Sequence, residues 1–167
     1  LEEEWHGRED TGEFFRFSSE GELSSREEWE KSELLEHHNY EYKGETVSTS
    51  VLKDFESGHI TRNRYDDKGR VIQKQVEKEG NLIEALHYFY EEDNLVYKRR
   101  RTPGVMEEWR YEYDEENQLT RELYYKNSSL QTITVYTGEN RYYKDIYRGG
   151  EAFLRVFYED EIKIEEK

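Results

Sequence analysis

Chemistry in this chain would have to come from carboxylates and histidines: its 167 residues hold 40 Asp and Glu, five His and no Cys. Without cysteine there is neither a disulfide framework nor a thiolate metal site, and the redox compartment stays open. The acids and histidines follow no nucleophile-elbow, phosphate-loop or zinc-helix pattern. His37 and His38 are neighbours; on a strand they face opposite sides and cannot chelate one ion together. The acids Asp66, Asp67, Glu91, Asp93, Asp114, Glu139 and Asp160 would line one rim of a repeat and could attract Ca²⁺. Hairpins two strands apart are about 10 Å apart, however, too far to share an ion, and Asp favours such turns in its own right. We therefore expect no cofactor, no metal and no catalytic residue. The competing reading is a carbohydrate-binding or carbohydrate-active protein with paired carboxylates beside an aromatic platform.

The elements that would position these groups are set by a repeat. Phe17, Tyr42, Tyr65, Tyr90, Tyr113, Tyr136 and Tyr158 are separated by 25, 23, 25, 23, 23 and 22 residues, the mark of one supersecondary unit used many times. Four residues after five of these anchors stands a residue that tolerates positive φ: Gly21, Gly69, Asn94, Asn117 and Asn140. A second turn class is marked by Gly58, Gly80, Gly104 and Gly150, with Asn127-Ser128-Ser129 replacing it once. His59 to Gly80 shows the unit most clearly, as an alternating strand, a turn, an alternating strand and a turn. Two turns per unit predict about 14 strands. The expected fold is all-β: an antiparallel β-meander of about seven hairpin repeats, as a curved single-layer sheet or a partly closed barrel. The repeat domain is set at 13–164, between an N-terminal extension (1–12) and a C-terminal tail (165–167). Ser24 to His38 also suits a short helix, through a capping box at Ser25 and Glu28, although the anchor spacing favours strand. Pro103 fits the turn Thr102-Pro103-Gly104.

Only 33% of the chain is hydrophobic, while 15 Tyr, 7 Phe and 3 Trp supply rings. A thick core is hard to fill from that, and a pleated face of amphipathic rings is not. Counting by twos from the anchors puts Phe15, Phe17, Tyr40, Tyr42, Tyr88, Tyr90, Trp109, Tyr111, Tyr113, Val156 and Tyr158 on one face as an aromatic ladder. A net charge of −15 repels phosphate backbones and anionic headgroups, so nucleic acid is not an expected partner. No apolar run is long enough to span a bilayer, so no membrane insertion is expected. Lys98, Arg99, Arg100 and Arg101 form the one cationic run, either a solvated strand end or a patch for an acidic partner.

Tyr65-Asp66-Asp67-Lys68-Gly69-Arg70-Val71 resembles the YD repeat of Rhs-type bacterial proteins, whose pattern is Tyr-Asp, two variable residues, Gly-Arg and an aliphatic. Tyr113-Asp114 with Asn117 and Leu119 keeps part of it, and Tyr90-Glu91 and Tyr158-Glu159 keep less. The period also resembles variant MORN repeats of bacterial secreted proteins. Either resemblance implies a long antiparallel meander over about residues 13 to 164 and a bacterial, extracytoplasmic setting, and neither implies a catalytic residue. Leu1 in place of Met fits a removed secretion signal or a cut boundary alike. The function expected is a non-enzymatic protein-binding or structural module, meeting a protein or itself through a sheet face or an edge strand. The ladder is then either the folding core or a recognition surface, and in the second case Tyr88, Trp109 and Tyr111 form its centre, with Arg100 as the charged alternative.

Overall fold

The computed structural model describes residues 2–8, 10–138 and 140–166; Glu139, one of the rim acids, lies outside them. The described chain contains strands and no helix: β1 (Glu2–Arg8), β2 (Thr11–Phe17), β3 (Leu23–Glu30), β4 (Glu33–Lys43), β5 (Thr46–Asp54), β6 (His59–Tyr65), β7 (Val71–Lys78), β8 (Asn81–Glu91), β9 (Asn94–Thr102), β10 (Val105–Tyr113), β11 (Leu119–Lys126), β12 (Ser129–Gly138), β13 (Arg141–Arg148), β14 (Glu151–Glu159) and β15 (Ile162–Glu166). They lie in one sheet in sequence order. The order ends at β1 and β15 without joining them, so the sheet is open and the partly closed barrel is not formed. Ser24 to His38 is the hairpin of β3 and β4 around Lys31-Ser32, both with positive φ. Strands also occupy both flanks of the 13–164 range, with β1 inside 1–12 and β15 reaching Glu166.

All seven anchors fall on even-numbered strands, beside the same rim. At Phe17, Tyr42, Tyr65 and Tyr113 the partner strand carries one extra residue, so the register shifts there. Such a bulge leaves a ladder carbonyl without its amide. At three of the four the extra residue supplies the donor from its side chain: the Ser24 hydroxyl donates to Arg16 O at 2.9 Å, Ser48 to Glu41 O at 3.1 Å and Thr120 to Glu112 O at 3.0 Å, while opposite Tyr65 the extra residue is Ile72. Ser24, Ser48 and Thr120 stand at multiples of 24 in the numbering, the underlying period of the fold.

The anchor-side turns are of two kinds. In the longer kind, Asp66 Oδ1 accepts from the amides of Lys68 and Arg70 at 2.9 Å each. Asp114 does the same for Glu116 and Gln118 at 2.9 Å, and Ser18 Oγ for Glu20 and Glu22 at 3.2 Å. These are Asx and Ser turns closed by a left-handed residue, Gly21, Gly69 or Asn117, at φ 84, 76 and 61°. The shorter kind has two residues, and there the expectation for Asn94 changes: it opens β9, and the left-handed residue is Glu92, φ 52°. On the other rim Gly58, Gly80, Gly104, Gly150 and Asn127-Ser128 all take positive φ, as their spacing predicts.

The chain forms two compact units, Leu1–Ala85 and Leu86–Lys167, dividing within β8. In the first unit, residues directly opposite one another place Tyr40, Ser50, Asn63 and Lys74 in one row. The small Ser50 is buried there, 7% exposed, and its hydroxyl meets Tyr65 Oη at 3.0 Å and Asn63 Nδ2 at 3.2 Å. On the opposite face Glu27 is buried against Arg16 (2.7 Å) and Trp29 Nε1 (3.2 Å).

In the second unit Tyr111, Glu122, Thr134, Lys144 and Val156 form one row, and Thr134 is the one side chain described as fully buried. Among the described residues eight are buried: Ser25, Glu27, Ser50, Ala85, Leu86, Ile133, Thr134 and Val156, most of them small and all in strand interiors. Tyr111→Ala should therefore cost about 2 kcal/mol, below the range of a fully buried aromatic. Phe15→Ala, with fewer ladder neighbours, should cost less than half of that, as urea unfolding of both variants will show; equal losses would contradict the ladder's role.

Candidate functional site

The ladder face of the second unit is built on three rows of directly opposed residues. Arg100, Glu107 and Lys126 form the row nearest the Pro103 turn; Lys98, Trp109, Tyr124, Thr132, Ile146 and Leu154 form the next; the Tyr111 row follows. The cationic run is thereby split: Lys98 and Arg100 lie on this face, while Arg99 and Arg101 oppose Glu108 and Met106 on the other. Trp109, Tyr111 and Arg100, expected as rival docking centres, share one surface, and Tyr88 lies close enough to Tyr111 to help raise its phenol.

Ring geometry follows the sheet pitch. Neighbouring strands are about 4.8 Å apart, and the rings stack across them at that spacing: Tyr142 and Tyr158 at 4.7 Å with 11° between planes, Trp109 and Tyr124 at 5.2 Å with 29°. Lys98 Nζ lies 4.6 Å from the Trp109 centroid, from the strand on the other side. Trp109 is thus flanked on both ring faces by its own sheet and presents an edge outward.

The charged groups beside it are tied down. Tyr124 Oη donates to Glu107 Oε1 at 2.6 Å and Arg100 Nη1 to Glu107 Oε2 at 3.1 Å. The hydrogen bond from Tyr124 first, then those from Arg100, hold the Glu107 carboxyl below its usual range despite partial burial. Burial, followed by the Glu107 bond, pushes the Tyr124 phenol up to about 12. Burial, followed by Glu122 and the surrounding tyrosines, takes Tyr111 to about 12 as well. Glu107 is therefore an ionised acceptor with both oxygens engaged. It has no proton to donate, which is the first requirement of a glycosidic acid.

Elsewhere the histidines are tied to neighbours: His37 Nδ1 is 3.6 Å from Glu27 with Nε2 on Asn39 at 3.1 Å, and His38 bonds Glu36 at 3.0 Å. Among the described residues no group of three His, Asp or Glu is placed to hold a metal ion, and no helix is long and apolar enough to cross a membrane. The acidic rim holds open grooves between hairpin tips, one of about 730 Å³ by Asp114, Gln118, Tyr136 and Thr137 and one of about 450 Å³ by Glu91, Asn94, Tyr111 and Asn117. Asn94 Nδ2 donates to Asn117 Oδ1 at 3.0 Å there. Sequence reasoning did not single out Lys98 as a ring partner, nor Glu107, Tyr124 and Lys144. The two-residue alternation around Trp109 could have flagged Glu107, whereas Tyr124 depends on the bulge at Thr120, which sets the register.

The model of a family described as "Uncharacterised protein" matches residues 6–151. The chain belongs to that family. No curated protein matches it.

Depressed carboxyls fix a pH response. Glu107, Glu27 and Asp66 are each held below the ordinary carboxyl value, so the stability they add is complete above about pH 5, clear of the unfolded carboxyl values, and is lost as pH falls through their lower folded values. The melting temperature should fall steadily from pH 5 to pH 2, and Glu107→Gln should flatten that fall. An unchanged acid slope in the variant would show that Glu107 carries none of it.

Proposed function

We propose that this chain is a non-enzymatic protein-binding or structural β-repeat module of the YD or variant MORN kind, from a bacterial surface or secreted protein, and that it meets a protein partner through the ladder face around Tyr88, Trp109, Tyr111 and Arg100. The supporting observation is the edge-on stacking of the rings. A sugar needs the flat face of a Trp or Tyr, and here Lys98 and Tyr124 flank the Trp109 ring on both sides. Protein interfaces use ring edges, hydroxyls and guanidinium groups, and are enriched in Tyr, Trp and Arg. The engaged state of Glu107 argues in the same direction, against acid–base chemistry beside the rings.

The test is a photo-crosslinker at position 111 in native extract, run beside a glycan array. The expected result is a defined protein adduct, lost in Trp109→Ala, and no glycan signal. Glycan binding that Trp109→Ala abolishes would replace this reading with the carbohydrate one, and turnover lost on changing Glu107 and Glu122 together would make the protein an enzyme.

A further inference from the structure

Resting on that reading, we propose that the partner of the ladder face is an acidic, extended protein segment that crosses the strands and sets its carboxylates on Lys98 and Lys144. Between β9 and β14 the three rows carry Lys98, Arg100, Lys126 and Lys144 against Glu107 and Glu122. That is a surplus of positive charge on one face of a chain whose net charge is −15. Glu107 is taken up by Arg100 and Tyr124. Lys98 and Lys144 are instead held over rings, Lys98 4.6 Å from Trp109 and Lys144 5.5 Å from Tyr142 and 5.7 Å from Tyr158. Neither forms an ion pair among the described residues. A cation so placed keeps an ammonium over an aromatic face without a carboxylate of its own, ready for one that arrives with the partner.

The spacing defines the ligand further. Lys98 and Lys144 are on β9 and β13, four strand intervals apart, about 19 Å. Six extended residues cover about 20 Å, so a short strand-like segment with acids near its two ends reaches both, while its apolar or aromatic residues lie on the ring edges of Trp109, Tyr124 and Tyr111. The acidic rim does not forbid this. A nine-residue strand is about 30 Å long, which places the middle of the face about 15 Å from the rim carboxylates, beyond the roughly 8 Å screening length of physiological salt. The net charge disfavours a second copy as occupant, since two whole chains of −15 repel one another where a short segment adds only a few charges.

The probe is a fluorescein-labelled peptide of alternating Glu and Tyr, about twelve residues long so as to overhang both lysines, read by anisotropy at about 0.15 M salt. A Lys–Tyr peptide and a heparin fragment serve as competitors, and sedimentation of the protein alone reports self-association. The expected result is saturable binding of the Glu–Tyr peptide, weakened at least about tenfold in Lys98→Glu/Lys144→Glu, the loss of two charge-assisted contacts, and weakened in the milder Lys98→Gln/Lys144→Gln pair, whose fold is checked by circular dichroism. Equal affinity in the folded variants, preference for heparin or for the Lys–Tyr peptide, or a dimer that blocks the peptide would each overturn the proposal. If a crosslinked protein partner is lost with Trp109→Ala but is indifferent to both lysine pairs, the acidic-segment inference fails and the protein-binding reading stands. If Trp109→Ala leaves both partner and peptide unaffected, both fail.

Discussion

A sheet with no second layer has to shield its backbone and apolar surface with the side chains standing on it, and this chain meets that requirement by stacking rings across strands. The strand pitch of about 4.8 Å is close to the contact distance of aromatic rings, so rings that oppose one another stack one strand apart, as Tyr142 and Tyr158 do at 4.7 Å and Trp109 and Tyr124 at 5.2 Å. Small residues between the tall ones become the interior. Thr134 and Ser50 are buried for that reason although neither is apolar, and Ser50 is satisfied by Tyr65 and Asn63. A 33% hydrophobic composition that would starve a two-layer domain is enough for such a surface.

Stacking works only if every row is in register, and the anchor-side bulges hold it there. A one-residue slip would move every ring to the opposite face. At three of these bulges the extra residue carries its own donor for the freed carbonyl, from Ser24, Ser48 and Thr120. Two anchor hydroxyls reach back to the preceding repeat, Tyr42 to Leu23 O at 3.2 Å and Tyr113 to Leu95 O at 3.0 Å. The period is thus a hydrogen-bond pattern as well as a hydrophobic one, which explains why the same positions recur while the residues between them vary.

The same constraint shapes the candidate site. Where a ring stacks within the sheet, as Trp109 does between Lys98 and Tyr124, an edge faces outward and the flat faces do not, and the cation beside it is drawn toward a ring quadrupole. Charge is then sorted by position, with acids collected in the anchor-side turns where their oxygens close Asx turns, and Lys98, Arg100, Lys126 and Lys144 left on the strand face.

Period, turn chemistry and alternation by themselves determined the all-β meander, the hairpin repeats, the strand at Ser24 to His38 and the shared face of Trp109, Tyr111 and the anchors. Each of these rests on local rules: glycine or Asn at positive φ, Asp at a turn, and the two-residue repeat of a strand. Which residue of one strand lies against which of the next was decided only in the folded sheet, because bulges at Ser24, Ser48 and Thr120 each displace the pairing by one. Hence Tyr124 beside Trp109, Lys144 over Tyr142 and Tyr158, and the capture of Glu107 by Arg100 and Tyr124 were out of reach of spacing alone. Whether the sheet closes was equally a tertiary matter, since the same alternating strands build an open sheet or a barrel, and the strand order ends here at β1 and β15.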